Sequence, residues 1–422
     1  MRIALIAFGT QGDIQPYIAL GKGLKAAGHT LRLVTTREFE TLVTSHGLEF
    51  SCVRGDVQAM MKNEAMREVL AKGNFVLTLR HMLKQGMRAA VDFAQDALIA
   101  CQGMDLIITG MVSTLIGVAV AQKLEIPLIQ THLFPMTPTR AFPNAILPQG
   151  LPNWGGAFNR FSSLFFLQST WLAVRPLFNR TIQNSFGLPP APFAELFHTS
   201  RPKNLPLLYG FSPAVIPAPA DWGSEIHITG YWFLDSAADW IPPTALSDFL
   251  QAGPAPLYIG FGSMSSRKPQ ETASLVIQAL KKTNQRALLF SGWDGMQKED
   301  LPESVLMIDS TPHDWLFPRV AAVVHHGGAG TTAAALRAGV PAVVIPFMAD
   351  QPFWGRRVQD LGVGPAPIPR HKLSVDRLAQ AIQETVTNTA MRQRAAELGA
   401  KIRAEDGIAN AVKIIQGIDA IS

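Results

Sequence analysis

The chain has 422 residues, which is long enough for two domains of ordinary size. Hydrophobic residues make up 47% and charged residues only 16%, so we expect large buried parallel sheets or a site for an apolar ligand. The formal net charge is +5, but Lys and Arg are dispersed without long runs. This pattern argues against a nucleic-acid partner and favours an anionic small molecule or an anionic lipid surface.

The cysteine content and the hydropathy pattern make a cytoplasmic protein the expectation. Cys52 and Cys101 provide neither a disulfide framework nor the spacing of metal ligands. The apolar run from Ile3 to Phe8 is too short for a signal peptide. A long charge-free run, Leu106 to Gln122, contains two glycines and predicts a strand, a turn and a helix rather than a membrane span.

Strand and helix patterns alternate along both halves of the chain. The first half opens with a strand at Arg2 to Phe8, a helix at Ile14 to Ala27 and a strand at Leu31 to Thr35. The alternation restarts at a strand from Leu257 to Phe261, after a proline-rich segment. We therefore predict an α/β fold of two Rossmann-like, doubly wound parallel-sheet domains that face a cleft. The predicted boundaries are 1–238, a linker at 239–255, 256–403, and a closing helix at 404–422 that is a candidate to pack on the first domain.

The most informative stretch begins at the doubled histidine, His325-His326. A β-branched apolar run precedes it, and Gly327, Gly328, Gly330 and two threonines follow before an Ala-rich helix predicted to begin at Thr331. A strand, a glycine loop and a helix N-terminus present free backbone N–H groups and the positive end of a helix dipole to an anion. Such a loop can also be only a tight connection, and this alternative stays open.

A second polar group follows the next predicted strand. The strand at Ala342 to Ile345 leads to Asp350 and Gln351. A carboxylate beside an amide offers both acceptors and donors, which suits the hydroxyls of a sugar. The anion loop and this pair together form a pattern more specific than either motif alone.

These motifs resemble those of a known family. The glycine loop followed by Asp350-Gln351 resembles the signature of inverting glycosyltransferases with two Rossmann-like domains, the GT-B fold. The segments Thr311–Phe317 and Asp350–Pro365 resemble sterol 3-β-glucosyltransferases in particular. Gly9–Pro16, GTQGDIQP, is similar to an element of the sterol and antibiotic-aglycone glucosyltransferases.

The resemblance implies a UDP-glucose site. His326 would contact the diphosphate, Asp350 and Gln351 would hold sugar hydroxyls, and the segment around Thr311 and His313 would lie at the base. One position departs from the broader family, which often has a ribose-binding Glu where this chain has Ala334. The full set of expected donor contacts is Gly12, Ser263, Trp293, Thr311, His313, His326, Gly328, Gly330, Thr331, Asp350 and Gln351.

Two of these donor contacts have plain structural alternatives. Ser263 follows a strand and suits the outer phosphate, but its loop can be an ordinary turn. Trp293 suits stacking on the base, but a lone Trp is more often a core residue. No Asp-x-Asp pair occurs in the sequence, so we expect neither a metal nor another cofactor, with the leaving-group charge stabilised by protein dipoles.

The first half is expected to supply the general base and the acceptor site. Asp13 follows the first strand and can take the proton from the acceptor hydroxyl, although it could instead be the N-cap of the following helix. In that case His132 is the other candidate base. The expected acceptor contacts are Met82, His132, Phe134, Phe166 and Trp171. Met82 lies on a Met-bearing helical face, and such a face is usually core.

An aromatic segment at residues 153–180 allows two interpretations. Its aromatic side chains recur at helical spacing among sparse arginines. The helix can pack on the sheet, or it can contact a membrane surface or an apolar acceptor as a peripheral element.

We predict an inverting, metal-independent glucosyltransferase that uses UDP-glucose and a sterol or a similar apolar alcohol. The same chemistry on a polyketide, peptide or triterpenoid aglycone, with a UDP- or TDP-sugar, is the alternative. A non-catalytic lipid- or nucleotide-binding protein and a nucleotide-sugar epimerase are further candidates.

Overall fold

The computed structural model describes residues 1–54, 90–147, 154–194, 205–236, 240–261, 269–290 and 301–419. The chain divides into two compact units. The first unit comprises Met1–Pro213, Pro217–Leu234 and Asp406–Ser422, and the second comprises Ala214–Ile216 and Asp235–Glu405. Each unit is built on a parallel sheet with helices between its strands, so the predicted α/β fold class is confirmed.

Seven parallel strands form the sheet of the first unit, in the order β3-β2-β1-β4-β5-β6-β7. Alternate residues of β1 enter opposite cores: Ile3 and Leu5 pack on one face, and Ala4 and Ile6 on the other. Burial of both faces explains why these strands are continuous apolar runs. The strands are β1 (Arg2–Ile6), β2 (Thr30–Thr36), β3 (Glu49–Val53), β4 (Leu106–Thr109), β5 (Leu128–His132), β6 (Leu207–Tyr209) and β7 (Ile226–Ile228).

Helices cover both faces of this sheet. The helix that ends at Phe178 is followed directly by a π-helical turn, Asn179–Gln183, and then by a short helical piece, Asn184–Phe186. Among the described residues, the helices between the strands of the first unit are α1 (Gln11–Ala26), α2 (Glu40–Ser45), α3 (residues 90–100), α4 (Thr114–Leu124) and α5 (Gly156–Phe178).

Five parallel strands form the sheet of the second unit, in the order β10-β9-β8-β11-β12. They are β8 (Leu257–Gly260), β9 (Ala287–Phe290), β10 (Val305–Ile308), β11 (Ala322–His325) and β12 (Ala342–Val344). The helices of this unit are α6 (Thr244–Gln251), α7 (Pro269–Thr283), α8 (His313–Leu316), α9 (Ala329–Ala338), α10 (Gln351–Asp360), α11 (Val375–Thr387) and α12 (Thr389–Arg403).

The last helix, α13 (Gly407–Asp419), is part of the first unit. Its residues Ala411, Val412 and Ile415 are buried in the same core as α1. A Cβ atom at Gly23 of α1 would collide with the side chain of Ile408, so the glycine permits this close helix contact.

Several element boundaries differ from those expected from the sequence. α1 begins at Gln11 rather than Ile14, and α9 begins at Ala329 rather than Thr331. In both cases polar or small residues of the loop motif form the first helical turn, where backbone N–H groups need no intrahelical partner. The segment 239–255, expected to be a linker, contains α6 with its buried Leu246 and groups with the second unit. Burial of one apolar side chain is enough to anchor such a short helix.

Candidate active site

The strand order reverses once in each sheet, and Asp13 and His326 follow strands at the reversal. In the first unit β1 lies between β2 and β4, and in the second β8 lies between β9 and β11. Connections on the two sides of such a point run to opposite faces of the sheet and leave a crevice at the carboxyl ends of the strands. Asp13 comes after β1, and His326 comes after β11, whose last residue His325 pairs with Gly260 of β8.

A tight glycine turn connects β11 to α9. Gly327 has φ +90°, a left-handed conformation that favours glycine, and its N–H donates to Nδ1 of His325 at 3.0 Å. A Cβ atom at Gly327 would lie 2.7 Å from Cγ1 of Val344 and 2.9 Å from the carbonyl oxygen of Gln351. The turn therefore leaves room for no side chain at this position.

His326 lies at the N-terminus of α9, beside Gly328. Gly328 is the N-cap, and a Cβ atom there would be 2.5 Å from Nε2 of His326. The first intrahelical bond joins the Thr332 N–H to the Gly328 carbonyl at 2.9 Å, so the N–H groups of residues 329–331 have no partner within the helix. Gly330 and Thr331 both belong to this first turn, where the dipole favours an anion.

Burial keeps His326 uncharged. It lowers the pKa of His326 to about 4, so the ring is neutral near pH 7. Its Nδ1 atom is buried and has no hydrogen-bond partner among the residues that the structure describes. A neutral imidazole beside a helix N-terminus can donate one hydrogen bond to an anion such as a diphosphate.

Two more histidines lie near His326. The ring of His313, at the start of α8, stacks on Phe317 with centroids 4.3 Å apart and meets the edge of Tyr258 at 5.8 Å. Burial lowers the pKa of His313 to about 4, and it lowers the pKa of the fully buried His325 well below its usual range. Proximity to His326 lowers the pKa of both further.

Thr311 lies in the loop just before α8. Its hydroxyl donates to the carbonyl oxygen of Asp309 at 3.0 Å, and its side chain is half-buried. This bond holds the loop in a compact turn. The structure thus brings Thr311 and His313 together at the carboxyl end of β10.

Asp350 and Gln351 are held by their own neighbours. Oδ2 of Asp350, the N-cap of α10, accepts a hydrogen bond from the indole N–H of the buried Trp354 at 2.8 Å. Oε1 of Gln351 accepts backbone N–H groups from Phe347 at 2.8 Å and Met348 at 3.1 Å. These bonds orient the Gln351 amide, whose nitrogen carries two further donors.

Asp13 is the third residue of α1, and Thr10 is the N-cap. Oδ2 of Asp13 accepts two hydrogen bonds from Thr10, one from the backbone N–H at 2.8 Å and one from the hydroxyl at 2.9 Å. The alternative in which Asp13 itself is the N-cap is therefore wrong, although its carboxylate supports the cap from the N3 position.

Burial dominates the electrostatics of Asp13. Desolvation raises the pKa of the carboxyl above its usual value, and the two bonds from Thr10 only partly offset this rise. Gly9, with φ +137°, lies directly against the carboxylate, where a side chain would collide with it. Gly12, by contrast, is exposed, and its Cα has ordinary space around it.

Tyr17, one helical turn after Asp13, was not among the expected site residues. Its hydroxyl lies 2.8 Å from Oγ1 of Thr131, which donates in turn to the Thr109 carbonyl at 2.9 Å. The Asp13 charge contributes to a raised pKa of Tyr17, so the two groups are electrostatic neighbours. The signal in the sequence was the i, i+4 spacing, which places both side chains on one face of a helix.

The expected acceptor residues near β5 lie beside a loop that Tyr209 holds. His132 ends β5 and is 3% exposed, with its ring 5.7 Å from that of Tyr209, and Phe134 is half-buried. The Tyr209 hydroxyl accepts backbone N–H groups from Met136 at 3.1 Å and Thr137 at 2.8 Å. Tyr209 therefore fixes the loop in which Phe134 lies, a role that the sequence did not indicate.

Helix α5 has a buried and an exposed face. Trp171 is 1% exposed, packs on Phe178, and donates its indole N–H to the Pro192 carbonyl at 3.1 Å, so it is a core residue. Phe166 is half-buried. The exposed face of the helix carries Phe161, Leu164, Phe165 and Leu172, and Trp154, two residues before the helix begins, is also exposed.

Three expected contacts, Met82, Ser263 and Trp293, lie outside the described residues. Within the described parts of the chain, none of the helices combines the length and the apolar character needed to cross a bilayer.

Two family models match the chain. The N-terminal domain of glycosyltransferase family 28 matches residues 3–143, and the C-terminal domain of erythromycin biosynthesis protein CIII-like proteins matches residues 288–417. A sterol 3-beta-glucosyltransferase of Aspergillus fumigatus is 39% identical over 98% of this chain, which spans 30% of that relative's length.

Solved structures share the fold along the whole chain. The glycosyltransferase of kitacinnamycin has a TM-score of 0.71 at 19% identity, with 98% of both chains covered. The glycosyltransferase VinC, solved in complex with dTDP, has a TM-score of 0.67 at 18% identity, with 99% of both chains covered.

These findings define the fold class of the protein: it has the GT-B fold of the two-domain glycosyltransferases that it resembles. Within that class the chain is a homologue of the sterol 3-beta-glucosyltransferases over 98% of its own length. The resemblance inferred from the sequence motifs is thereby confirmed.

The buried histidines predict a pH-dependent stability of the second unit. Folding lowers the pKa of His313 and His326 from an ordinary value near 6.5 to about 4, so only the unfolded chain takes up these protons as the pH falls below about 6.5. We expect the urea concentration at the midpoint of unfolding to decrease as the pH is lowered from 6.5 to 4. The decrease should be smaller in the variant His313→Gln/His326→Gln.

The exposed His371 of the same unit provides the control, since His371→Gln should leave the pH dependence unchanged. Urea titrations at several pH values, followed by circular dichroism, measure the effect. An equally steep loss of stability in the double variant would contradict the assignment to these two rings.

Proposed function

We propose that the chain transfers glucose from UDP-glucose to the hydroxyl of a sterol or a similar apolar alcohol, with inversion at the anomeric carbon. The likeness to sterol 3-beta-glucosyltransferases along the chain supports the sterol acceptor and the glucose donor. The dTDP complex of VinC, a relative in fold, supports a nucleotide-sugar donor. The reaction itself rests on one observation, the half-buried carboxylate of Asp13 after β1, in which Thr10 holds Oδ2 by two hydrogen bonds.

Asp13 acts as the general base in this proposal. The acceptor oxygen attacks the anomeric carbon as its proton passes to the carboxylate, and the bond between that carbon and the phosphate oxygen breaks to release UDP. Both hydrogen bonds from Thr10 fall on Oδ2, so Oδ1 is the more basic oxygen and receives the proton. A raised pKa makes the carboxylate a stronger base than an exposed one.

The N-terminus of α9 stabilises the leaving group. The N–H groups of its first turn and the neutral ring of His326 donate hydrogen bonds to the diphosphate, on which negative charge grows as the bond breaks. Asp350 and the amide nitrogen of Gln351 then bind hydroxyls of the glucose, since their other atoms are held by Trp354 and by the backbone of the preceding loop.

We predict that Asp13→Asn lowers the transfer rate by roughly 10²–10⁴-fold. The amide retains the shape of the side chain and an oxygen that can accept from Thr10, but it cannot take a proton. Release of UDP in the presence of a sterol measures the rate, and UDP affinity and melting temperature serve as controls that should stay near the wild-type values. A variant that turns over at the wild-type rate would leave Asp13 with a structural role only.

A second variant tests the electrostatic part of this assignment. Thr10→Val removes the hydroxyl bond to Asp13 and retains the backbone one, so the pKa of Asp13 should rise further. Because the base works only when ionised, the acid limb of the pH–rate profile should move to higher pH.

The proposed reaction needs no metal ion. The sequence contains no Asp-x-Asp pair, and the helix dipole with His326 supplies the positive potential at the diphosphate. Turnover should therefore be unchanged after treatment with a strong chelator. A loss of activity that magnesium or manganese restores would contradict this proposal.

We further propose that α5 contacts a membrane surface, where a sterol acceptor resides. Phe161 and Phe165 stack with centroids 6.2 Å apart and are 64% and 65% exposed, and Arg160 beside them is exposed. Apolar rings next to a cationic side chain suit the interface of an anionic bilayer.

Flotation with liposomes that contain anionic lipid tests this contact. The double variant Phe161→Ser/Phe165→Ser should float less than the wild type, and added salt should weaken flotation of the wild type. Ile241→Ser is the matched control, because Ile241 is 83% exposed but lies in the second unit. An equal loss of flotation in both variants, or no loss in either, would contradict a specific role of α5.

A screen of acceptors distinguishes the sterol from other aglycones. UDP-glucose is supplied with a sterol, a triterpenoid, a polyketide and a peptide aglycone, and products are identified by mass spectrometry. Transfer of glucose to the sterol alone supports the proposal. Transfer only to another class of aglycone would contradict the proposed sterol acceptor but not the proposed transfer reaction.

A further inference from the structure

We propose that His325, the first residue of the histidine pair, is a positioning residue that shapes the donor turn by accepting the Gly327 N–H. The inference rests on the proposed donor site at α9. His325 is fully buried at the end of β11, and its Nδ1 lies 3.0 Å from the Gly327 nitrogen. None of the expected roles involved this side chain, although it directly precedes His326.

The hydrogen bond fixes the chemical state of the ring. An Nδ1 atom that accepts a hydrogen bond carries no proton, so the neutral ring bears its proton on Nε2, a buried atom without a hydrogen-bond partner among the described residues. A second proton on Nδ1 would face the Gly327 N–H and break the bond. Burial of His325 disfavours that charged state, so the contact persists at neutral pH.

The geometry resembles the local turn that an Asn side chain makes with the backbone. The acceptor atom of residue 325 binds the N–H two residues later, which is the pattern of an Asx-turn. This bond directs the Gly327 N–H into the protein and leaves anion binding to the amides of the next turn. It also holds Gly327 at φ +90°, the conformation that brings Gly328 against the ring of His326.

The neighbours of Gly327 explain why the turn needs an internal acceptor. Val344 and the Gln351 backbone lie too close to admit a side chain or a shifted turn. A buried N–H that lacks an acceptor is costly, and this packing leaves the turn little room to find another. His325 therefore couples the end of β11 to the orientation of His326.

Three substitutions of His325 separate this role from simple packing. His325→Asn retains an acceptor near the place of Nδ1 and should bind UDP within about threefold of wild type. His325→Leu removes the acceptor, and His325→Gln moves it one bond away; both should weaken UDP binding about tenfold. Calorimetry with UDP measures the affinity, and thermal melting shows whether each variant is folded.

Steady-state kinetics add a second readout. Because the proposed effect is confined to the donor turn, His325→Leu should raise KM for UDP-glucose while KM for the sterol stays unchanged. Nitrogen NMR of protein labelled at histidine should show an unprotonated Nδ1 in the His325 ring, identified as the resonances that His325→Asn removes.

The outcomes distinguish failure of this inference from failure of the donor site. If His326→Ala leaves UDP affinity unchanged, the proposed donor site itself is wrong. If His326→Ala weakens binding but His325→Asn is as impaired as His325→Leu, the donor site stands and the role of His325 as an acceptor is overturned. A protonated Nδ1 in the NMR spectrum would overturn it as well.

Discussion

Asp13 and His326 take their positions from the reversal of strand order in two parallel sheets. The reversal lies between β1 and β4 in the first sheet and between β8 and β11 in the second. The chain connections on the two sides of the reversal run over opposite faces of the sheet. The loops at that point separate and expose backbone N–H groups and the starts of helices. Asp13 lies in the helix that follows β1, and His326 directly follows β11, so each group comes after a strand at the reversal of its own sheet.

Desolvation then determines the chemical state of these groups. The same burial raises the pKa of Asp13 and lowers the pKa of the three histidines, because in each case the charged form loses its hydration. The first unit thus holds a carboxylate that is a better base than an exposed one. The second holds neutral rings that act through hydrogen bonds and a helix dipole rather than through positive charge.

Local hydrogen bonds orient the groups that burial has tuned. Thr10 holds one oxygen of Asp13, Trp354 holds Asp350, and backbone N–H groups hold the Gln351 oxygen. The backbone around these groups has a positive φ angle at few positions, such as Gly327 and Ala349. Ala349 adopts this conformation although it has a Cβ atom, which is a mild strain beside the Asp350-Gln351 pair.

Much of this arrangement was predictable from the sequence. Apolar runs alternating with helical patterns predicted both sheets, because a strand buried on both faces must be apolar throughout. The motif around His326 predicted a glycine turn and a helix start after a strand, and the structure has both, since glycine permits the tight turn. The α/β fold class followed from the same alternation of strand and helix patterns.

Tertiary structure alone decided the remaining questions. The pKa of Asp13 depends on atoms brought from distant parts of the chain, and burial raises it more than the hydrogen bonds from Thr10 lower it. The hydrogen-bond partner of Tyr17 also depends on the tertiary structure, because Thr131 lies far along the sequence. So does the burial of Trp171, which the sequence pattern of α5 could not distinguish from its exposed neighbours. The chain's own sequence determines which groups are present and which local turns they form, but pKa values and burial are sums over three-dimensional neighbours.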